Sequence, residues 1–304
     1  MQCLGFADEV EGVRGGSVFL EDEDHMPHAL QTLMDYEFAR HALVTALAVG
    51  TLCSLLSVVV VLKRMAFVGH GVSHAGFGGI GTAILLGLAG WSQNILIMIF
   101  CLATGVGVGV LSRRKKLEPD SAIGILLVMA MAWGVFMTDL WRNIRFADWY
   151  VNIFGMTPNP PSWEMMLFGS LMSVSATDMW VAILATLAIL GICAAFFKEI
   201  IFFCFDEKAS QVFGVRAGFI YYLLLVLLSV AIVLSIRMAG LLLVSALLVI
   251  PGATGLLMSR RLGRVLLWSW ISGMIGMAGG VLLALQVGRI SSGPCIVGML
   301  GVVF

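Results

Sequence analysis

The stretch "GHGVSHAGFGG", residues 69 to 79, places two imidazoles, His70 and His74, four positions apart among glycines and alanine. On a helix such positions share a face. Both rings could then reach one cation, at roughly 2.0–2.1 Å for a nitrogen ligand. Nitrogen donors suit zinc well, and manganese, iron or nickel less selectively. Two ligands are too few, so a neighbouring span, a backbone carbonyl or water would have to complete the shell. The plainer alternative is that each histidine packs inside a bundle and hydrogen-bonds a neighbouring helix. Which reading holds depends on the element that carries the pair.

That element lies in a chain of 304 residues that is 60% hydrophobic and 12% charged. A soluble globular protein carries about 25% charged residues, and the mean hydropathy of +1.01 points the same way. The apolar runs are long enough to cross a bilayer as helices, about 20 residues each. They do not alternate as the strands of a membrane barrel would. Candidate spans are 41–62, 67–88, 94–111, 121–138, 179–197, 217–236, 241–258 and 265–287. A short apolar piece, 294–304, is either a ninth span or a re-entrant turn after "SSGP". The expected fold is therefore all-α, a polytopic helical membrane protein of eight or nine spans. Polar groups inside such spans are costly and tend to line a pathway, which favours the metal reading of His70 and His74.

Orientation follows from the basic residues. With spans alternating, the loops holding Lys63 and Arg64, Arg113 to Lys116, Lys198, Lys208 and Arg216, and Arg260, Arg261 and Arg264 fall on one side. That side is expected to be cytoplasmic. The acidic segment 1–38, with "EDEDHMPH" at 21–28, then faces outward as a flexible leader and interfacial segment. His25 and His28 offer only a weak metal-capturing motif there, and no removable signal peptide is expected. The transmembrane domain is expected over 39–304. The outer loop 139–178 holds Asp139, Arg142, Arg145 and Asp148 near Trp141, Trp149 and Tyr150, a pattern of interfacial anchoring. Its "TPNPPSW" at 157–163 is turn-forming. Cys3, Cys53, Cys101, Cys193, Cys204 and Cys295 are scattered, with no zinc-ribbon or redox spacing.

Some chemistry is missing. Gly76, Gly78 and Gly81 spell G-x-G-x-x-G, but no strand precedes them, so close helix packing explains them better than a dinucleotide. "GVGVG" at 105–109 reads the same way. No G-x-x-x-x-G-K-[ST] occurs, so any ATP must be bound by another subunit. HExxH is absent too, which disfavours an intramembrane metalloprotease. The chain is expected to be no enzyme, to hold no permanent cofactor and to bind no nucleic acid.

Two further segments invite a mechanical reading. In "FDEKASQVFGV", Asp206 can cap a short helix and Gly214 can end it. Without any partner this would be an ordinary interfacial helix. Pro251, within "LLVIPGATG", removes a backbone donor in mid-span. With Gly252 and Gly255 beside it the span is expected to kink or unwind, as broken helices lining transporter paths do; a purely structural kink is the alternative.

"VVLKRMAFVGHGVSHAGFGGIG" (60–81) resembles the second-span signature of the permease subunits of zinc and manganese ABC importers, which read Gly-Asp-x-x-Ser-His-Ala. "LFGSLMSVSATDMW" (167–180), "KEIIFFCFDEKASQVFGV" (198–215) and "GLLLVSALLVIPGATGLLM" (240–258) resemble three further blocks in the same order. The resemblance implies a type II ABC importer-like permease in the plasma (inner) membrane, paired with a second permease copy as a homo- or heterodimer. It also implies cytoplasmic ATP-binding subunits, an extracytoplasmic metal-binding protein, and Zn2+, Mn2+ or Fe2+ as substrate. The motif's His falls on His74, and its Asp position is occupied by His70, a departure that exchanges a hard oxygen donor for nitrogen and tilts the choice toward zinc. The segment near 198–215, with Asp206, Glu207, Val212, Phe213 and Gly214, would couple to the ATPase, Val212 and Phe213 entering a groove on it. An ATP-independent metal channel or secondary carrier remains the alternative.

Overall fold

The computed structural model describes residues 36–88, 90–114, 119–143, 174–287 and 292–304. The readings placed on residues 1–35, on most of the outer loop and on "TPNPPSW" lie outside them. Among the described residues the chain is helical, with no strand. The helices are α1 (Glu37–Leu62), α2 (Ala66–Leu85), α3 (Trp91–Arg114), α4 (Pro119–Asn143), α5 (Ala176–Ala195), α6 (Phe197–Phe205), α7 (Glu207–Val212), α8 (Ala217–Leu247), α9 (Ile250–Met258), α10 (Leu262–Val287) and α11 (Ser292–Val303).

Among the described residues, seven segments are long and apolar enough to cross a membrane. The α2 helix is of similar length, but its two histidines and six glycines dilute its hydropathy. It survives in an apolar setting because neighbours, not lipid, cover it: thirteen of its 20 residues are buried, against α4, α3 and α8. Counting α2, eight spans result, as the hydropathy pattern predicts. The 12-residue α11 rises about 18 Å, too little for a hydrocarbon core of about 30 Å, and packs on α10 and α8.

The central element is α8. On one side it meets α2 and α3, which pack with α4; on the other it meets α1 and α11, which pack with α10. Its buried residues Leu225, Leu228, Ile232, Leu241 and Val244 belong to one core with Leu52, Val72 and Ile296. The helices come close where side chains vanish. A methyl group on Gly81 would collide with the backbone of Gly134, and one on Gly134 with the backbone of Phe77 and Gly78. The glycines of the G-x-G-x-x-G string thus lie on an unbroken helix at a packing seam. Replacing Gly81 by leucine is expected to cost about 1–3 kcal/mol through overpacking. Thermal unfolding of the detergent-solubilised chain checks this against Gly124→Ala, where an added methyl meets nothing within 4 Å.

The expected break in the 241–258 span is present, but its place and the role of Pro251 need correction. The chain breaks at Leu248 and Val249, between the end of α8 at Leu247 and the start of α9 at Ile250. Pro251 does not interrupt a helix interior. It occupies the first turn of α9, where a backbone N–H has no intrahelical acceptor anyway, so no carbonyl is orphaned by it. The next donor, Gly252 N–H, is satisfied by Ser57 Oγ at 2.8 Å. A second irregularity sits at Gly240 inside α8, with φ 78° and ψ 166°, a conformation essentially confined to glycine. The spans 217–236 and 241–258 are therefore two limbs joined by a glycine hinge point rather than by a loop.

Candidate functional site

The helix α2 begins three residues after α1 ends. The turn between them closes with Met65 N–H donating to Val60 O at 2.8 Å and Arg64 N–H to Val61 O at 3.0 Å. This is the 6→1 and 5→2 pattern of a helix C-terminal cap, with Arg64 at φ 55° where glycine is usual. The turn fixes how α2 leaves, and hence where its face points. His70 and His74 lie on that face with ring centroids 4.4 Å apart and planes 65° apart. His74 stacks with Phe77 at 6.0 Å.

One edge of the His70 ring is held by a hydroxyl. Ser245, from the limb of α8 beyond Gly240, places Oγ 3.2 Å from His70 Nδ1. The Ser245 hydroxyl donates to Leu241 O at 3.1 Å, and Ser73 donates to His70 O at 2.8 Å. Ser245 thus holds the Nδ1 edge of the His70 ring, and the ring's tautomer sets which of the two groups donates. Such a partner on the other ring nitrogen is what orients a metal-binding histidine. His74 Nδ1 is buried and has no hydrogen-bond partner. Two nitrogens bound tetrahedrally to one ion lie about 3.3 Å apart, a spacing within reach of rings this close. Among the described residues no group of three or more His, Cys, Asp or Glu side chains gathers to hold a cation. The pair can therefore offer two nitrogens and no full cage. Ser245 escaped the sequence reading, although a lone hydroxyl in the apolar string "LLLVSALL" was the available signal.

Pro251 and Gly252 lie on α9, not on the helix that carries the histidines. They pack at the junction of α9 with α1 and α10, Gly252 against Ser57. A cavity of about 230 Å³ between α1, α5, α6 and α10 is lined by apolar side chains with Cys193 and Cys204. None of its lining residues comes from α2.

The 198–215 segment forms two helices. Asp206 separates them, its Oδ1 accepting from Lys208 N–H at 2.8 Å and Ala209 N–H at 3.0 Å. The Ala209 and Lys208 amides hold the Asp206 carboxyl below the usual carboxylate range, so the cap stays ionised and is lost only as pH falls through that lowered value. Gly214, at φ 80°, ends α7, with Val215 N–H donating to Ser210 O and Gly214 N–H to Gln211 O. Between the caps, Val212 and Phe213 are 84% and 73% exposed. Lys63 reaches this segment from the end of α1. Its Nζ lies 3.6 Å from the Phe203 ring centroid and 4.0 Å from Glu207 Oε2.

Comparison with known proteins decides the family. Residues 35–304 match the ABC 3 transport family. The chain belongs to that family. It is a multi-pass protein of the plasma membrane. The manganese transport system membrane protein MntC of Halalkalibacterium halodurans is 31% identical over 82% of this chain and 79% of its own length. The chelated iron transport system membrane protein YfeD of Yersinia pestis is 27% identical over 86% of this chain and 82% of its own. In structure, the ABC 3 chain is similar to PsaBC from Streptococcus pneumoniae in complex with Fab, with a TM-score of 0.73, 25% identity, and 90% and 92% of the two chains covered.

Proposed function

We propose that this chain is the transmembrane permease subunit of an ATP-driven importer for divalent metal ions, with zinc as its preferred cargo. Family membership and the manganese and iron relatives support the importer reading. The observation that carries the choice of zinc is His70: the site presents two nitrogens, one oriented by Ser245, where the family's motif has a carboxylate. Manganese prefers oxygen donors, whereas imidazole suits zinc. With only two side-chain ligands the ion is held loosely, as passage requires.

ATP-binding subunits dock on α6 and α7 through Val212 and Phe213, a second permease copy completes the path, and an extracytoplasmic binding protein delivers the ion. The break at Leu248 and Val249, just before Pro251 and Gly252, lets α9 shift against the end of α8. Permanent cofactors have no part in this scheme, nor does catalysis by this chain.

The test is uptake into proteoliposomes holding the permease, its ATPase and its binding protein. Zinc should enter only with ATP and faster than manganese or iron. Uptake by the permease alone would establish the channel or carrier instead, and preference for manganese would overturn the cargo assignment. Ser245→Ala frees the His70 ring, and the apparent KM for zinc is expected to rise by about 10-fold, at the lower end of such outer-shell losses. Ser245→Thr keeps the hydroxyl and should stay near wild type. An unchanged KM in Ser245→Ala would show that the ring is oriented without it.

A further inference from the structure

We infer that Lys63 is the positioning residue that links the ATPase-facing segment to the helix bearing the paired histidines. The inference rests on the importer reading above.

Lys63 is the C-cap of α1, and its side chain is 15% exposed. The ammonium sits over the Phe203 ring and beside the Glu207 carboxylate. Those two residues belong to different helices of the hairpin, α6 and α7, on either side of the Asp206 cap. Phe203 is 1% exposed and forms a small core with Ile200, Ala217, Ile220 and Leu224. The ammonium is therefore held by a rigid body rather than by a loose side chain. A cation against an aromatic face gains most where water is partly excluded, and a single ion pair at a wet surface would gain little.

On its backbone side Lys63 opens the three-residue turn into α2. That turn has little freedom: two capping hydrogen bonds close it and Arg64 occupies the left-handed region. His70 is the fifth residue of α2, about one helical turn beyond the end of that turn. When an ATPase pushes α6 and α7, the clamp on Lys63 carries the displacement into the base of α2. The pair His70 and His74 moves with it, as does the contact with Ser245. A second route runs through α8, which touches both α6 and α2. Only the Lys63 route depends on one charge.

The test uses the full reconstituted importer and reads zinc ions carried per ATP hydrolysed. Lys63→Met keeps the stem and removes the charge. It should bind the ATPase as wild type does and hydrolyse ATP at a similar rate, with ions per ATP falling at least about 10-fold. Lys63→Arg should recover coupling to within about 2-fold. Lys63→Glu should uncouple, and adding Glu207→Lys should restore part of the loss. Wild-type coupling in Lys63→Met overturns the link, as does a double swap no better than Lys63→Glu alone. An assembly defect in Lys63→Met, uncured by arginine, would make Lys63 a docking residue and also overturns it. A wild-type complex that carries no zinc with ATP sinks the importer reading itself, a separate outcome.

Discussion

Replacing both His70 and His74 by alanine is expected to abolish zinc uptake by the reconstituted importer, a loss of at least about 100-fold, the scale at which even metal-orienting groups matter. Assembly with the ATPase should survive. The reason is spatial separation on the chain: the histidines sit on α2, packed on α3, α4 and α8, whereas the exposed apolar pair Val212 and Phe213 sits on the α6–α7 hairpin. Alanine also suits a helix interior, and the rings contribute one hydrogen bond, to Ser245. Uptake of zinc-65 together with pull-down of the ATPase reads both halves. Single variants should differ. His70→Asp restores the oxygen donor of the family motif, so manganese should gain on zinc. His74→Ala removes the nitrogen that is buried without a partner. Normal uptake by the double variant would remove the site from the ion's route.

The second large effect concerns the motor. Val212→Asp with Phe213→Asp is expected to weaken ATPase binding by at least about 10-fold and to silence transport. Large apolar side chains this exposed at the end of a capped helix are the kind that anchor interfaces, where single truncations cost 2 kcal/mol or more. The fold itself should tolerate the change. Val212 is 84% exposed and Phe213 73%, with the Phe202 ring 5.8 Å from that of Phe213. The caps at Asp206 and Gly214 are untouched. Binding of the purified ATPase to nanodisc-held permease measures the effect. Unchanged affinity would reduce α7 to an interfacial helix.

Hydropathy and charge made most of the architecture legible. Long apolar runs separated by Lys and Arg placed the spans, because lipid imposes one rule on every residue at once. Local backbone chemistry was legible where a side chain acts on its own neighbours: Asp206 as a cap and Gly214 as a stop are readable from spacing alone. The break in the 241–258 stretch was half legible. Pro251 signals an interruption, but its place in the first turn of a new helix depends on the turn at Leu248 and Val249, two ordinary apolar residues. The partners of the histidines were not legible. Ser245 stands 175 positions from His70, and Lys63 meets Phe203 and Glu207 only through tertiary packing. Periodicity reports which face is apolar; it carries no information on which helix will lie against it.

The most direct measurement is the anomalous scattering of zinc in the permease–ATPase complex trapped with its ion. The account predicts a peak between α2 and the far limb of α8, about 2.0–2.1 Å from a nitrogen of both His70 and His74. A peak on another route, with both rings walled off from it or turned toward the acyl chains, would contradict it.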